Sequence, residues 1–140
     1  MYNKQYHEFL FNEDSFHVYE NGHLLYHSTK GRIIPWLEFI DLFSPLVSNV
    51  TVFDKVVGNA AALLAIKAGC RSLYSPVGSQ LAADTLEKYH IKYSFINTIP
   101  YICKADSLEM CPLEKLSLDK RPEDFYETVR VQISMASKVN

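Results

Sequence analysis

Three cysteines in 140 residues, Cys70, Cys103 and Cys111, are too few and too scattered for the disulfide framework of a small secreted domain, and no two form a C-x-x-C pair. A reducing, cytoplasmic setting is the expectation. No basic run followed by an apolar stretch opens the chain, and the apolar runs stop well short of the ~20 residues a membrane span needs. A membrane partner is therefore not expected. Excess positive charge is lacking as well: 14 Lys and Arg stand against 16 Asp and Glu, so no bulk field exists to hold a nucleic-acid backbone. No repeat, low-complexity tract or linker is visible. What the chain does have is 48% hydrophobic residues, with eight Phe and nine Tyr, enough apolar surface to offset the entropy of ordering. One domain over 1–140 is expected, with a core at about 15–116 and a C-terminal helix at about 122–136.

Along the chain, Asn21-Gly22 separates the half-apolar runs Phe16–Glu20 and His23–His27, the signature of a β-hairpin with a two-residue turn. A regular register sets Glu20 against His23, Val18 against Leu25 and Phe16 against His27. Bulky residues on both faces of that hairpin point to a sheet covered on both sides. Ile33, Trp36, Leu37, Ile40, Phe43 and Val47 then follow helical spacing, with Pro35 in the first turn. A short strand from Asn49 to Phe53 ends at Asp54-Lys55 and leads into a nearly all-apolar helix, Val56 to Ala68, closed by Gly69. The next strand runs Arg71–Val77 and is closed by Pro76 and Gly78; Ser79 caps a helix to about Tyr89, and Ile91–Ile99 is a further strand. Pro112 opens a short helix, and Phe125, Val129, Ile133 and Ala136 share one face of the last. Alternating strands and helices imply a largely parallel sheet after the hairpin, a three-layer α/β/α fold.

The run Asp54 to Leu64, with Tyr74-Ser75-Pro76-Val77, Pro100-Tyr101-Ile102 and Cys111-Pro112-Leu113-Glu114-Lys115, resembles domain-of-unknown-function family 1893, small prokaryotic proteins assigned to the cytidine-deaminase-like fold. The resemblance covers Ser15 to Leu116 and implies that fold; it brings no reaction with it. Zinc deaminases need a His or Cys two residues before a catalytic Glu, and two cysteines spaced C-x-x-C at the next helix. Neither triplet nor pair occurs here, and the two helices open with Gly31-Arg32-Ile33-Ile34 and Val57-Gly58-Asn59-Ala60. No metal or cofactor is expected.

Other residues can still carry chemistry. Asp54 and Lys55 end a strand where ligands of open α/β sheets bind, and Lys55 with Asn59 lies at a helix start suited to a phosphate or carboxylate. A capping Asp54 and a solvated Lys55 are the bland alternative. Arg32 offers a planar fork to an anion, or is a surface residue beside a turn glycine. Cys111, three residues before Glu114 in capping-box spacing, is a candidate nucleophile or redox-sensitive thiol, against which stand an inert buried cysteine and the opposing charge of Glu114. Cys103 is near enough in sequence to pair with it. His23 and His27, about 13 Å apart along a strand, cannot share a metal ion. Lys120 to Asp124 carries both signs and is no nucleic-acid patch.

The expectation is thus a deaminase-fold protein without zinc that binds a small anionic ligand such as a nucleotide or nucleotide-sugar. Asp54 and Cys111 are its catalytic candidates, and Arg32, Lys55, Asn59 and Glu114 its ligand contacts. The competing expectation is a non-catalytic scaffold that assembles as a homo-oligomer, a dimer first; redox sensing through Cys111 is a third.

Overall fold

The computed structural model describes residues 2–139 and, in the last helix, side chains as far as Ile133. In chain order the elements are α1 (Asn3–Leu10), β1 (Phe16–Glu20), β2 (His23–Ser28), α2 (Ile34–Phe43), β3 (Val50–Asp54), β4 (Val56–Val57), α3 (Asn59–Lys67), β5 (Cys70–Ser79), α4 (Gln80–Lys88), β6 (Lys92–Ile99), α5 (Pro112–Ser117) and α6 (Pro122–Val139). The mixed sheet runs β2-β1-β3-β5-β6, with β4 prolonging the line of β3 along β5. β1 is antiparallel to both neighbours, and all pairings from β3 onward are parallel.

The two helical layers are unequal. Phe16 and Val18 of the sheet share one apolar cluster with Trp36 and Leu37 of α2, Leu63 and Leu64 of α3, Leu86 of α4, and Phe125 and Val129 of α6. Helix α3 lies at the centre of this layer, which is why a nearly all-apolar segment becomes a helix here: Asn59 through Ala65 are all buried. The opposite face holds a smaller cluster in which Phe9 of α1 packs on Tyr19 and Phe53, with Tyr2, Tyr6 and Tyr74 at its margin. No element was expected before Ser15. The side chain of Ala136, expected on the packed face of α6, lies outside the described residues.

Three local expectations are corrected. The hairpin turn forms with φ +50 at Asn21 and +83 at Gly22, but a bulge between Val18 and Tyr19 shifts the register beyond it. Val18 then pairs with Tyr26 and Phe16 with Ser28, and both Leu25 and Tyr26 pack on the larger cluster. Val56 and Val57 extend the sheet instead of opening α3, so Gly58 is the residue before the helix. Pro76 does not end β5; its missing N–H falls at the break where β3 pairing stops at Tyr74 and β4 pairing starts at Val77. At Gly78 an added Cβ would lie 2.2 Å from the Phe95 ring, so only glycine lets β6 pack there. As expected, Ser79 accepts the Ala82 amide at 3.0 Å and caps α4.

Candidate functional site

Strand β3 is buried along its whole length, which carries Asp54 to the carboxyl end of the parallel strands with only 5% of its surface exposed. The Trp36 indole of α2 donates to Asp54 Oδ2 at 2.8 Å. Burial pushes the Asp54 carboxyl up to about 7, against the opposing pull of the Trp36 bond and of the Val56 and Lys55 amides. Asp54 lies on the wall of a cavity of about 350 Å³, within the range that takes small molecules. Arg32 and Cys111 share that wall, with Ile33, Val56, Ile102 and Leu113 as its apolar part.

The start of α3 closes one side. Its first intrahelical bond runs from the Ala62 amide to the Gly58 carbonyl at 3.0 Å, so the amides of Ala60 and Ala61 precede the ladder, and among the described residues they have no acceptor. Both residues line the cavity. The Asn59 amide is instead taken by Glu114 Oε1, while Glu114 Oε2 accepts from Ile102 N–H at 2.7 Å. This carboxylate, 2% exposed, therefore ties α5, the Ile102 loop and α3 into one wall. A Cβ at position 58 would stand 2.8 Å from Ile102 Cγ1 and 3.0 Å from Glu114 Oε1, which is why glycine precedes the helix.

Not every expected ligand contact is available to a ligand. Lys55 is among the residues lining the cavity, but its ammonium donates to the carbonyls of Asn12 at 2.7 Å and Asp14 at 2.8 Å and sits 4.5 Å over the Phe9 ring, on the α1 side of the sheet. It shares no helix face with Asn59, because β4 intervenes. Asn59 does not line the cavity: its amide group bonds the Ser117 hydroxyl at 3.0 Å and carbonyl at 3.3 Å and accepts from Thr85. Glu114 lines the cavity with both oxygens engaged. The capping-box reading of Cys111 and Glu114 fails too, since the Cys111 amide donates to the Ile102 carbonyl at 2.7 Å and its thiol caps nothing. All three cysteines are free, and burial pushes Cys70 up to about 12, leaving it inert at neutral pH.

Among the described residues Arg32 is the cation of the group without a partner. It is exposed at the cavity rim, has φ +56, and makes no hydrogen bond or ion pair among the described residues. Nearby Lys30 is paired to Glu38 at 2.6 Å. The sequence alone does not mark Trp36, Gly58 or Ile102 as functional. The signal for Gly58 was its place directly before the most apolar helix; for Trp36 and Ile102 there was none, because their roles arise from contacts across the fold. Away from the cavity, Asp14 Oδ2 meets His17 at 2.9 Å and His27 at 3.2 Å. Among the described residues no group of three His, Cys, Asp or Glu side chains is placed to hold a metal ion.

A three-layer α/β/α protein with a ligand-sized cavity at the carboxyl ends of its parallel strands, and a buried carboxyl in the cavity wall, is the class that this fold and site define. The family described as TM1506, domain of unknown function (DUF1893), matches residues 5–133, and the chain belongs to it. Its structure is similar to the 2.70 Å crystal structure of a DUF1893 family protein (TM1506) from Thermotoga maritima, with a TM-score of 0.77 and 27% sequence identity. The alignment covers 90% of this chain and 85% of that one. No curated protein matches the chain. No helix of the described residues is long and apolar enough to cross a membrane.

Proposed function

We propose that the cavity binds a small anionic ligand of nucleotide or nucleotide-sugar type in the cytoplasm. The observation that carries this reading is that Arg32, without a partner among the described residues, and Ala60 and Ala61, whose amides have no acceptor among them, line one cavity of about 350 Å³. Asp54, poised near neutrality, is the group suited to move a proton there, and Cys111 is the nucleophile the same cavity offers. The order of the sheet, an antiparallel hairpin followed by parallel strands, supports the cytidine-deaminase-like reading of the fold. Zinc-dependent deamination is not part of it, because the sequence has neither a His or Cys two residues before a Glu nor a C-x-x-C pair. The test is a thermal-shift series with nucleotides, nucleotide-sugars and inorganic phosphate. At a hundred times Kd a bound ligand stabilises by about 2.7 kcal/mol, a rise of several degrees. No shift with any of them at millimolar concentration would remove the reading.

A second reading, assembly into a homodimer, has one observation in its favour. Strand β6 is paired with β5 alone among the described residues, and its eight residues contain no proline and a single charge, Lys92. Exposed edges are commonly blunted by such residues. Light scattering on the eluted protein checks it: a monomeric mass at 100-fold dilution and at high concentration alike sinks the dimer.

A further inference from the structure

We infer that the cavity takes up its anion together with one proton, which Asp54 holds and through which it donates to an oxygen of the ligand. The inference rests on the proposed function, since it concerns how the same cavity accepts an anion. Its basis is geometric. Asp54 is a carboxyl group in the wall of a cavity that is also lined by Arg32 and by the first residues of α3, Ala60 and Ala61, whose amides have no acceptor among the described residues; both suit negative charge. An ionised Asp54 would face an incoming oxyanion with like charge in a poorly screened space. A neutral one is a hydrogen-bond donor to an oxygen of the ligand, while the Trp36 indole and the Val56 and Lys55 amides take up its acceptor sites.

The surrounding groups leave Asp54 as the one to respond. Arg32 is a guanidinium exposed at the cavity rim. Lys30, on the loop before α2, is paired with Glu38, and the Lys55 ammonium is held by two carbonyls beyond the sheet. Asp14, in the segment before β1, is held between His17 and His27. From α3 the facing residues are Ala60 and Ala61, and from α5 Glu114 is occupied by two amides. The remaining titratable neighbour is the Cys111 thiol.

The experiment compares sulfate with hydrogen phosphate by calorimetric titration between pH 6 and 8.5. Sulfate carries no proton in this range, so its binding must draw one onto Asp54, and its affinity falls about tenfold per pH unit above neutrality. Hydrogen phosphate brings its own P–OH to an ionised Asp54 and changes far less. In Asp54→Asn the amide is a permanent neutral donor, and the sulfate profile becomes flat. In Cys111→Ser the slope persists, which separates Asp54 from the thiol. A flat sulfate profile in the native protein, or a slope that survives Asp54→Asn, overturns the inference. Failure of both anions to bind at every pH overturns instead the reading of the cavity as an anion site.

Discussion

A carboxyl group that folding makes harder to ionise has a measurable consequence for stability. Asp54 is raised to about 7 by burial, from an ordinary value near 4, so between those pH values the native state holds a proton that the unfolded chain has released. Stability therefore falls as pH rises across that window, at up to about 1.4 kcal/mol per unit, and levels off above it. Asp54→Asn keeps an acceptor for the Trp36 indole and removes the titration. The stability of Asp54→Asn relative to native should accordingly climb from pH 4 to 7 by a few kcal/mol in urea unfolding; a constant difference would contradict a buried, neutral Asp54. Arg32 makes the complementary case. A left-handed φ costs a residue with a side chain roughly 1 kcal/mol, which glycine avoids at the expense of extra freedom when unfolded. Arg32→Gly is expected to leave stability within about 1 kcal/mol of native and to weaken nucleotide or phosphate binding tenfold or more, as read by titration. Asp54 and Arg32 were legible in the sequence because each stands where a chain signal ends, one at the close of an apolar strand and the other after a glycine before a helix. Lys55 and Glu114 were not. What decides their roles are carbonyls 41 and 43 residues away and an amide 55 residues away, contacts that no local spacing encodes.

The start of α3 is held by side chains from a distant element, since Gly58 offers no capping group. Glu114 takes over that task from α5 and satisfies the Ile102 amide with its second oxygen. Hydrogen bonds to a charged acceptor contribute about 1.5–3 kcal/mol each, so Glu114→Ala should destabilise by roughly 3–5 kcal/mol and loosen the cavity wall. Hydrogen exchange at Asn59 and Ile102 faster than native by a factor of ten or more would register it, and unchanged exchange would refute the clamp. Elements announced by a local device were legible: the Asn-Gly turn, the Ser79 cap, proline at the start of α2 and α5. The bulge at Val18/Tyr19 was hidden, because a period-2 pattern carries no mark of the one residue that breaks it. β4 was hidden for a related reason, since Val56-Val57 continues an apolar run in which strand and helix are locally indistinguishable.

Across the whole molecule the two layers differ in how much they can lose. The larger cluster draws on α2, α3, α4 and α6, whereas the opposite face depends on a single helix of eight residues over Tyr19 and Phe53. Tyr2, Tyr6 and Phe9 recur at i, i+4 and i+7, a helical stripe visible in the sequence once its target face is known. Phe9 is fully buried there, and truncating such a ring costs about 3–5 kcal/mol. The Lys55 ammonium fastens the end of this helix by its bonds to Asn12 and Asp14, directly beside Asp54, so the thin layer and the cavity are joined through consecutive residues of one strand end. Removing residues 1–12 should therefore leave the helical layer assembled while uncovering an aromatic face. The expected signature is near-native helical circular dichroism, a melting temperature lowered by ten degrees or more and strong binding of an apolar dye. A truncated chain that melts with the native one and binds no dye would mean that the sheet does not need its second layer.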